Sequence, residues 1–199
     1  MAKALILASG SAVRQTLLRN AGLDFEAKPA SVDERAIEQD LPETDRDPVS
    51  IARQLAIAKA RDISAQHPEA FVIGCDQTMS LGQRVFHKAA SIAEARETLE
   101  ALRGNTHVLN SAICLVKNGE LLWSTVVSAK MQVRHFSEDW LTGYLARNAE
   151  SILSSVGCYQ LEGEGIQLFD TIDGDYFTIL GLPLLPLLAA LRDQGINHA

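Results

Sequence analysis

Residues 4–18 read ALILASGSAVRQTLL and predict a strand, a tight turn of small residues and a helix. A helix start has backbone N–H groups without partners and the positive end of the helix dipole, so a Ser-Gly-Ser turn there suits an oxyanion. Gly10 allows close backbone approach, the hydroxyls of Ser9 and Ser11 can donate, and Arg14 can form a forked pair with phosphate oxygens. An ordinary helix cap at Ser11 followed by a solvated arginine fits equally well, so the turn leaves both interpretations open.

Size and composition predict one globular domain over residues 1–199, with room for two lobes. The net charge of −7 argues against a nucleic-acid polymer or an anionic membrane as partner, so any anion site must be local. Three scattered cysteines, with no signal peptide or membrane anchor, predict reduced thiols and a cytoplasmic location. The five histidines are also scattered, so we expect oxygen atoms to hold any metal.

Periodicity, capping residues and turn residues predict an alternation of helices and strands. The predicted helices run from Ser11 to Gly22, from Asp47-Pro48 to His67-Pro68, from the capping box Ser91 to Glu94 up to Gly104, from Ser137 onward, and from Gly181-Leu182-Pro183 to near Gly195. The predicted strands are 4–8, 71–75, a hairpin of 108–116 and 121–133 with an Asn118-Gly119 turn, a short hairpin over 78–87, and a glycine-rich strand-like region over 157–175. The acidic segment 32–47 is predicted to be an exposed loop or an irregular connection. This order predicts an α/β fold with a mixed sheet.

Polar residues in three places are candidates for chemistry. Asp76 follows the predicted strand 71–75, where a carboxylate could hold Mg²⁺ or accept a proton from water, although an Asp in an ordinary turn also fits. Lys59 continues the apolar stripe of its helix and so needs an anionic partner, such as a phosphate, or a route to water. Lys88 follows the short hairpin and fits either a phosphate ligand or a solvated lysine. The P-loop and Rossmann glycine motifs are absent from the sequence.

Several blocks, in order along nearly the whole chain, together resemble the Maf family. They are Ser9-Gly10-Ser11-x-x-Arg14-x-x-Leu17-Leu18, Val32-Asp33-Glu34, Ala58-Lys59-Ala60, Cys75-Asp76-Gln77, Leu102-x-Gly104-x-x-His107, Gly157-Cys158-Tyr159-x-x-Glu162-Gly163-x-Gly165 and Gly181-Leu182-Pro183-Leu184. The resemblance implies a cytoplasmic nucleoside triphosphate pyrophosphatase that forms NMP and pyrophosphate with Mg²⁺ or Mn²⁺. It also implies a mixed central sheet with flanking helices and two lobes around a cleft, similar to the inosine triphosphate pyrophosphatases.

The resemblance assigns a role to each matching residue. It implies triphosphate ligands at Ser9, Ser11 and Arg14, phosphate ligands at Lys59 and Lys88, a catalytic carboxylate at Asp76 with Glu34 beside the metal, and substrate-choice positions at Val13, Gln77 and Glu162. The chain departs from the family pattern at Val13, where a second basic residue is usual, and at Ala89, where a proline is usual.

The substrate-choice positions resemble those of the subgroup that acts on 7-methyl-GTP. A carboxylate at Glu162 could accept from guanine N1–H and N2–H and would favour the positive charge of an N7-methylated base, whereas its local sequence also fits a solvated loop acid. A broader range of nucleoside triphosphates is the alternative.

Two other functions fit the same residues. A nucleotide-binding regulator of cell division would use the pocket without turnover, and a phosphotransferase would need a second acceptor substrate. The leucine-rich segment 182–191 is predicted to belong to the core, with a homodimer interface as the alternative.

Overall fold

A seven-stranded mixed sheet with helices packed against it organises the chain; the computed structural model describes residues 3–196. The strands are β1 (Leu5–Leu7), β2 (Glu26–Ala27), β3 (Phe71–Leu81), β4 (Arg84–Phe86), β5 (Thr106–Lys117), β6 (Glu120–Val133) and β7 (Phe169–Asp173). The helices are α1 (Ala12–Asn20), α2 (Glu34–Asp40), α3 (Pro48–Gln66), α4 (Ile92–Leu102), α5 (Glu138–Arg147), α6 (Tyr176–Ile179) and α7 (Leu184–Asp193). This confirms the predicted α/β class with a mixed sheet.

The sheet has the strand order β2-β1-β3-β5-β6-β7, and β4 pairs with β3 outside that path. Strand β1 is parallel to both β2 and β3, with Leu7 opposite Ile73, whereas β4 and β7 are antiparallel to their neighbours. Parallel pairing aligns the carboxyl ends of β1 and β3, which brings Ser9 towards the part of β3 that follows Ile73.

Contacts between residues divide the chain into two compact units. The first unit contains residues 3–77, 110–127 and 176–196 of the described chain, and the second contains 78–109 and 128–175. In the first unit, alternate strand residues face opposite sides of the sheet, as strand geometry requires. Leu7 packs in the apolar cluster that includes residues of α1 and α7, whereas Ile6 packs in the cluster that includes residues of α3. The first unit therefore has a buried core on each face of its sheet.

The predicted caps and helix ends are confirmed for the main helices. The side chains of Ser11, Asp47, Ser91 and Ser137 each accept a hydrogen bond from a backbone N–H of the first turn. Helix α7 buries Leu184, Leu187 and Leu191 in the first unit's core, which confirms the core interpretation of that segment.

The prediction of a loop over 32–47 is wrong for its first half, because α2 occupies Glu34–Asp40. The Asp33 side chain accepts from the N–H of Ala36 at 3.0 Å, and Glu34 lies in the first turn, where a negative charge favours the helix. The helix ends at Leu41, whose extended backbone is what the following Pro42 requires.

Two strand predictions also need correction. Strand β3 continues to Leu81, so Asp76 and Gln77 lie inside it rather than after it; the extension pairs with β4, with Met79 opposite Phe86. Residues 157–168 form turns and a 3-10 helix, and only Phe169–Asp173 of the predicted region 157–175 is a strand. A left-handed backbone at Cys158, with φ of 55°, is incompatible with a continuous strand there.

Cysteines 75, 114 and 158 are free and buried. Among the helices of residues 3–196, none combines the length and the apolar character needed to cross a membrane.

Candidate functional site

The turn between β1 and α1 presents two serines and a helix start. Ser9 is buried, and its Oγ accepts from the N–H of Ser11 at 3.2 Å, while Ser11 Oγ caps α1 by accepting from the N–H of Arg14 at 3.4 Å. Because both hydroxyl oxygens accept bonds from the chain, each hydroxyl proton remains available for an outside acceptor. The turn therefore combines two hydroxyl donors with the positive end of a nine-residue helix.

Arg14 joins this turn to two other segments of the first unit. Its Nε donates to the carbonyl of Gly181 at 2.8 Å, and its Nη1 donates to the carbonyl of Cys75 at 3.2 Å and to Ser9 Oγ at 3.5 Å. Gly181 has φ of 83°, and a Cβ there would lie 2.9 Å from the Arg14 guanidinium, so glycine is needed on both counts. Neutral carbonyl groups thus fix the position of the Arg14 guanidinium.

Lys59 forms a charged cluster with two carboxylates. Its Nζ lies 2.5 Å from Asp76 Oδ1 and 2.7 Å from Glu34 Oε1. The side chains of Lys59 and Asp76 are only 15% and 11% exposed, whereas Glu34 is 52% exposed. Burial by itself would lower the pKa of Lys59, but the two carboxylates outweigh it and raise that pKa above its ordinary value of 10.5. The lysine is therefore a permanent cation, and of the two alternatives that the sequence leaves open the structure shows the anionic partner, in the form of carboxylates.

A close contact between α3 and β3 brings the members of this cluster together. A Cβ at Gly74 would lie 2.2 Å from the carbonyl oxygen of Ala56 and 2.7 Å from the Cβ of Ala60. Only glycine lets the helix backbone approach the strand this closely. Lys59 lies between those two alanines on α3, and Asp76 lies two residues after Gly74 on β3, so the contact sets their separation.

Gln77 is held by hydrogen bonds to its own chain. Its Nε2 donates to Ser111 Oγ at 2.8 Å and to the carbonyls of Thr178 and Ile179, both at 3.1 Å, while Ser111 Oγ donates to Thr178 at 2.7 Å. Neither Ser111 nor the carbonyls of this segment were predicted from the sequence. The motif Gly181-Leu182-Pro183 was the available signal, but carbonyl acceptors are backbone groups that residue type does not reveal.

The remaining predicted residues belong to the second unit or pack on the apolar core of the first. Lys88 and Glu162 belong to the second unit, and both are exposed. Val13 is half-buried and packs against the apolar cluster of the first unit. The structure therefore brings together Ser9, Ser11, Arg14, Lys59, Asp76, Gln77 and Glu34 within the first unit.

Asp76 and Glu34 are the residues that could hold a divalent metal. Lys59 engages one oxygen of each carboxylate, so Asp76 Oδ2 and Glu34 Oε2 are the oxygens left for a metal. Within residues 3–196 there is no cluster of three or more histidine, cysteine, aspartate or glutamate side chains suited to a metal. Two carboxylates fit Mg²⁺ or Mn²⁺ when substrate phosphates and water complete the coordination, which is the usual arrangement for Mg²⁺.

Comparisons with known proteins give one family and close relatives. The family model described as Maf-like protein matches residues 4–194. A 7-methyl-GTP pyrophosphatase from Rhizobium etli is 57% identical over 98% of both chains, and one from Rhizobium meliloti is 55% identical over the same shares. The solved structure of a HAM1 protein from Coxiella burnetii has a TM-score of 0.43 at 19% identity, covering 67% of this chain and 73% of that one.

Proposed function

The chain belongs to the Maf-like protein family, and on that basis we propose that it hydrolyses nucleoside triphosphates to NMP and pyrophosphate, with 7-methyl-GTP as the preferred substrate. Relatives named 7-methyl-GTP pyrophosphatase at 57% and 55% identity support this choice. The observation that carries the proposal is the cluster of Lys59, Asp76 and Glu34, joined through Cys75 to the capped turn that holds Arg14.

We assign binding of the triphosphate to groups of the first unit that hydrogen bonds within the chain hold in place. The N-terminus of α1 and the hydroxyls of Ser9 and Ser11 donate to phosphate oxygens, and Arg14 adds a positive charge beside them. Because Arg14 is held by carbonyls before substrate arrives, little side-chain entropy is lost on binding.

Hydrolysis uses Asp76 as the base. A water oxygen attacks the α-phosphorus, its proton passes to Asp76, the bond from the α-phosphorus to the bridging oxygen breaks, and pyrophosphate leaves. Lys59 lies 2.5 Å from the Asp76 carboxylate and holds it in one orientation. The same ammonium, together with Arg14, offsets the charge that accumulates on the leaving group.

We also propose a requirement for Mg²⁺ or Mn²⁺, with Asp76 and Glu34 as its protein ligands. A divalent ion supplies Lewis-acid polarisation of phosphate oxygens when it is bound. Glu34 is at the first position of α2, where the helix start orients its carboxylate beside Lys59.

Choice of base is assigned to Glu162, with Val13 and Gln77 contributing in other ways. The amide nitrogen of Gln77 is engaged with Ser111 and with carbonyls 178 and 179, so Gln77 acts by fixing that segment. Val13 packs against the apolar cluster of the first unit, at the position where the family pattern has a second basic residue.

The test is pyrophosphate release from a panel of 7-methyl-GTP, GTP, dTTP and UTP, with Mg²⁺ and with Mn²⁺. We expect release from 7-methyl-GTP with the highest kcat/KM, and loss of at least about 100-fold in kcat for Asp76→Asn, the size of a general-base contribution. Nucleotide binding without pyrophosphate release would instead support the regulator, and a product that requires a second acceptor would support a phosphotransferase.

A further inference from the structure

Glu162 lies at the tip of a closed loop in the second unit, formed by residues 159–165. The N–H of Gly163 donates to the carbonyl of Gln160 at 3.2 Å, which closes a turn that contains Glu162. The chain then returns beside its own start, because a Cβ at Gly165 would lie 2.5 Å from the carbonyl oxygen of Gln160. Glycine lets these two backbone stretches approach so closely. The position of Glu162 therefore depends on what holds the base of this loop.

Tyr159 forms the base of the loop and is fixed at its backbone and at its ring. Ser155 Oγ donates to the carbonyl of Tyr159 at 2.7 Å and accepts from its N–H at 3.1 Å. The buried ring packs edge-on against Phe169, with 4.9 Å between the centroids. A Cβ at Gly157 would overlap the ring, so the glycine there makes room for it. The surroundings of Tyr159 therefore determine where the loop begins.

A buried hydrogen bond joins the hydroxyl of Tyr159 to His107. Tyr159 Oη lies 2.7 Å from His107 Nε2, and the histidine side chain is fully buried. Among residues 3–196, the other ring nitrogen of His107, Nδ1, has no hydrogen-bond partner. Burying a polar ring costs free energy unless it is hydrogen-bonded, and the bond to Tyr159 offsets that cost. His107 therefore fixes the far end of the side chain whose backbone begins the loop.

The other side of the loop is held by the end of α5. The Glu164 carboxylate accepts from Arg147 Nε at 3.0 Å and from Asn148 Nδ2 at 2.8 Å. A carboxylate that accepts from two side chains has a defined position. Glu162 lies between these attachments and is exposed, so its carboxylate is accessible to a ligand while the backbone on both sides is fixed.

We propose that Tyr159 and His107 are positioning residues for base choice, because their hydrogen bond fixes the base of the loop and so sets the place of Glu162 before the nucleotide binds. The proposal rests on the proposed function, since it takes Glu162 to be the residue that accepts from guanine N1–H and N2–H. Tyr159 and His107 are buried and act through Glu162, without touching the substrate. A carboxylate fixed in advance loses less entropy on binding, so loosening the loop should weaken binding of 7-methyl-GTP and leave the chemical step unchanged.

Removal of one hydroxyl tests the positioning role. Tyr159→Phe deletes the hydroxyl and keeps the ring, whereas the control, Ser64→Ala, deletes a buried hydroxyl of the first unit that accepts from the N–H of Gly119 at 3.0 Å. We expect Tyr159→Phe to lower the ratio of kcat/KM for 7-methyl-GTP to that for UTP about 10-fold, through KM, which is the size of one lost hydrogen bond. Ser64→Ala should leave the ratio unchanged. His107→Leu should match Tyr159→Phe, and His107→Gln should keep part of the ratio, because an amide can still bond to the hydroxyl.

Two glycine substitutions inside the loop test the same geometry without removing a hydrogen bond. A Cβ at Gly165 would lie 2.5 Å from the Gln160 carbonyl oxygen and must displace it, whereas a Cβ at Gly163 would lie 3.9 Å from the same atom, an ordinary contact. Gly165→Ala should lower the ratio at least as much as Tyr159→Phe, and Gly163→Ala should preserve it. An unchanged ratio in Gly165→Ala would contradict the proposal.

A double-mutant cycle with Glu162→Gln separates this proposal from the proposed function. If Tyr159 acts through Glu162, the double variant should lose little more discrimination than Glu162→Gln alone. Additive losses would overturn the positioning role, as would a fall in the ratio that Ser64→Ala reproduces at an equal loss of Tm. In both cases pyrophosphate release by the unmodified chain would still support the function, whereas absence of that release would overturn the function itself.

Discussion

Replacing Gly74 by alanine adds one methyl group at the contact that sets the distance between Lys59 and Asp76. That Cβ would lie 2.2 Å from the Ala56 carbonyl oxygen and 2.7 Å from the Ala60 Cβ, and also 2.8 Å from the Cys114 sulfur. Three rigid or buried neighbours surround the position, so no flexible side chain can move aside. The helix α3 must therefore shift away from β3.

The size of the shift follows from those distances. Ordinary contact between a carbon and an oxygen needs roughly 3.5 Å, so α3 must move by about 1 Å. Overpacking of this kind costs about 1–3 kcal/mol of stability, and a displacement of about 1 Å between catalytic groups costs about 100-fold in rate. The Lys59–Asp76 contact of 2.5 Å would lengthen towards the limit of a hydrogen bond.

Urea unfolding and kcat for pyrophosphate release measure the two consequences. Gly143→Ala in α5 is the control, since its Cβ would meet chiefly the guanidinium end of Arg147, which can move, and alanine favours a helix by up to about 1 kcal/mol. We expect Gly74→Ala to lose both stability and kcat, and Gly143→Ala to lose neither. A Gly74→Ala protein with unchanged kcat would refute the claim that this contact positions the catalytic pair.

Other predictions concern charge and pH. Lys59→Met should leave two carboxylates without their cation, lowering the unfolding free energy by about 2 kcal/mol in urea titrations and kcat by at least about 100-fold. Because the pKa of Lys59 is raised, the unfolding free energy of the unmodified chain, measured in urea, should show no titration of Lys59 between pH 5 and 9. Burial lowers the pKa of His107 to about 4, so its contribution to stability is complete above pH 6.5 and is lost as the pH falls towards 4, on the order of 3 kcal/mol. The free energy of unfolding in urea should fall between pH 7 and pH 4, and this fall should be smaller by that amount in His107→Gln than in the unmodified chain. Chelation with EDTA should abolish pyrophosphate release, and added Mg²⁺ or Mn²⁺ should restore it.

Local signals explain which parts of the fold the sequence could predict. Caps such as Ser91 with Glu94 act within one turn of helix, and the Asn118-Gly119 turn, with φ of 49° and 76°, needs no distant partner. The predictions that were wrong concern segments whose structure depends on residues far away in the sequence. Strand β3 continues beyond Cys75 because β4 pairs with it. Asp76 is tolerated inside this strand because the Lys59 side chain on α3 contacts its carboxylate.

In the candidate site, too, some residues could be predicted from local sequence, whereas their contacts with distant segments could not. Lys59 and Asp76 could be selected because they are polar where burial is expected, and Arg14 because it follows a Ser-Gly-Ser turn at a helix start. The hydrogen bonds that join these residues to the rest of the chain could not be predicted. Arg14, for example, donates to the carbonyls of Cys75 and Gly181, and backbone carbonyls carry no sequence signature. The resemblance marked Cys158 as part of a block, but its left-handed backbone and the hydrogen bond from the Tyr144 hydroxyl to its carbonyl appear only in the folded chain.

The charges of the cluster explain why a divalent cation belongs in the proposal. Arg14 and Lys59 supply two positive charges, and Asp76 and Glu34 cancel them, within a chain whose net charge is −7. A triphosphate would therefore meet no excess of positive charge here, and its oxygens would be repelled by carboxylates close to Lys59. A divalent ion held by those carboxylates would offset this repulsion, and Lys59, which contacts one oxygen of each carboxylate, orients both of them. The carboxylates that would oppose binding of the bare nucleotide are thus the groups that would favour binding of its metal complex.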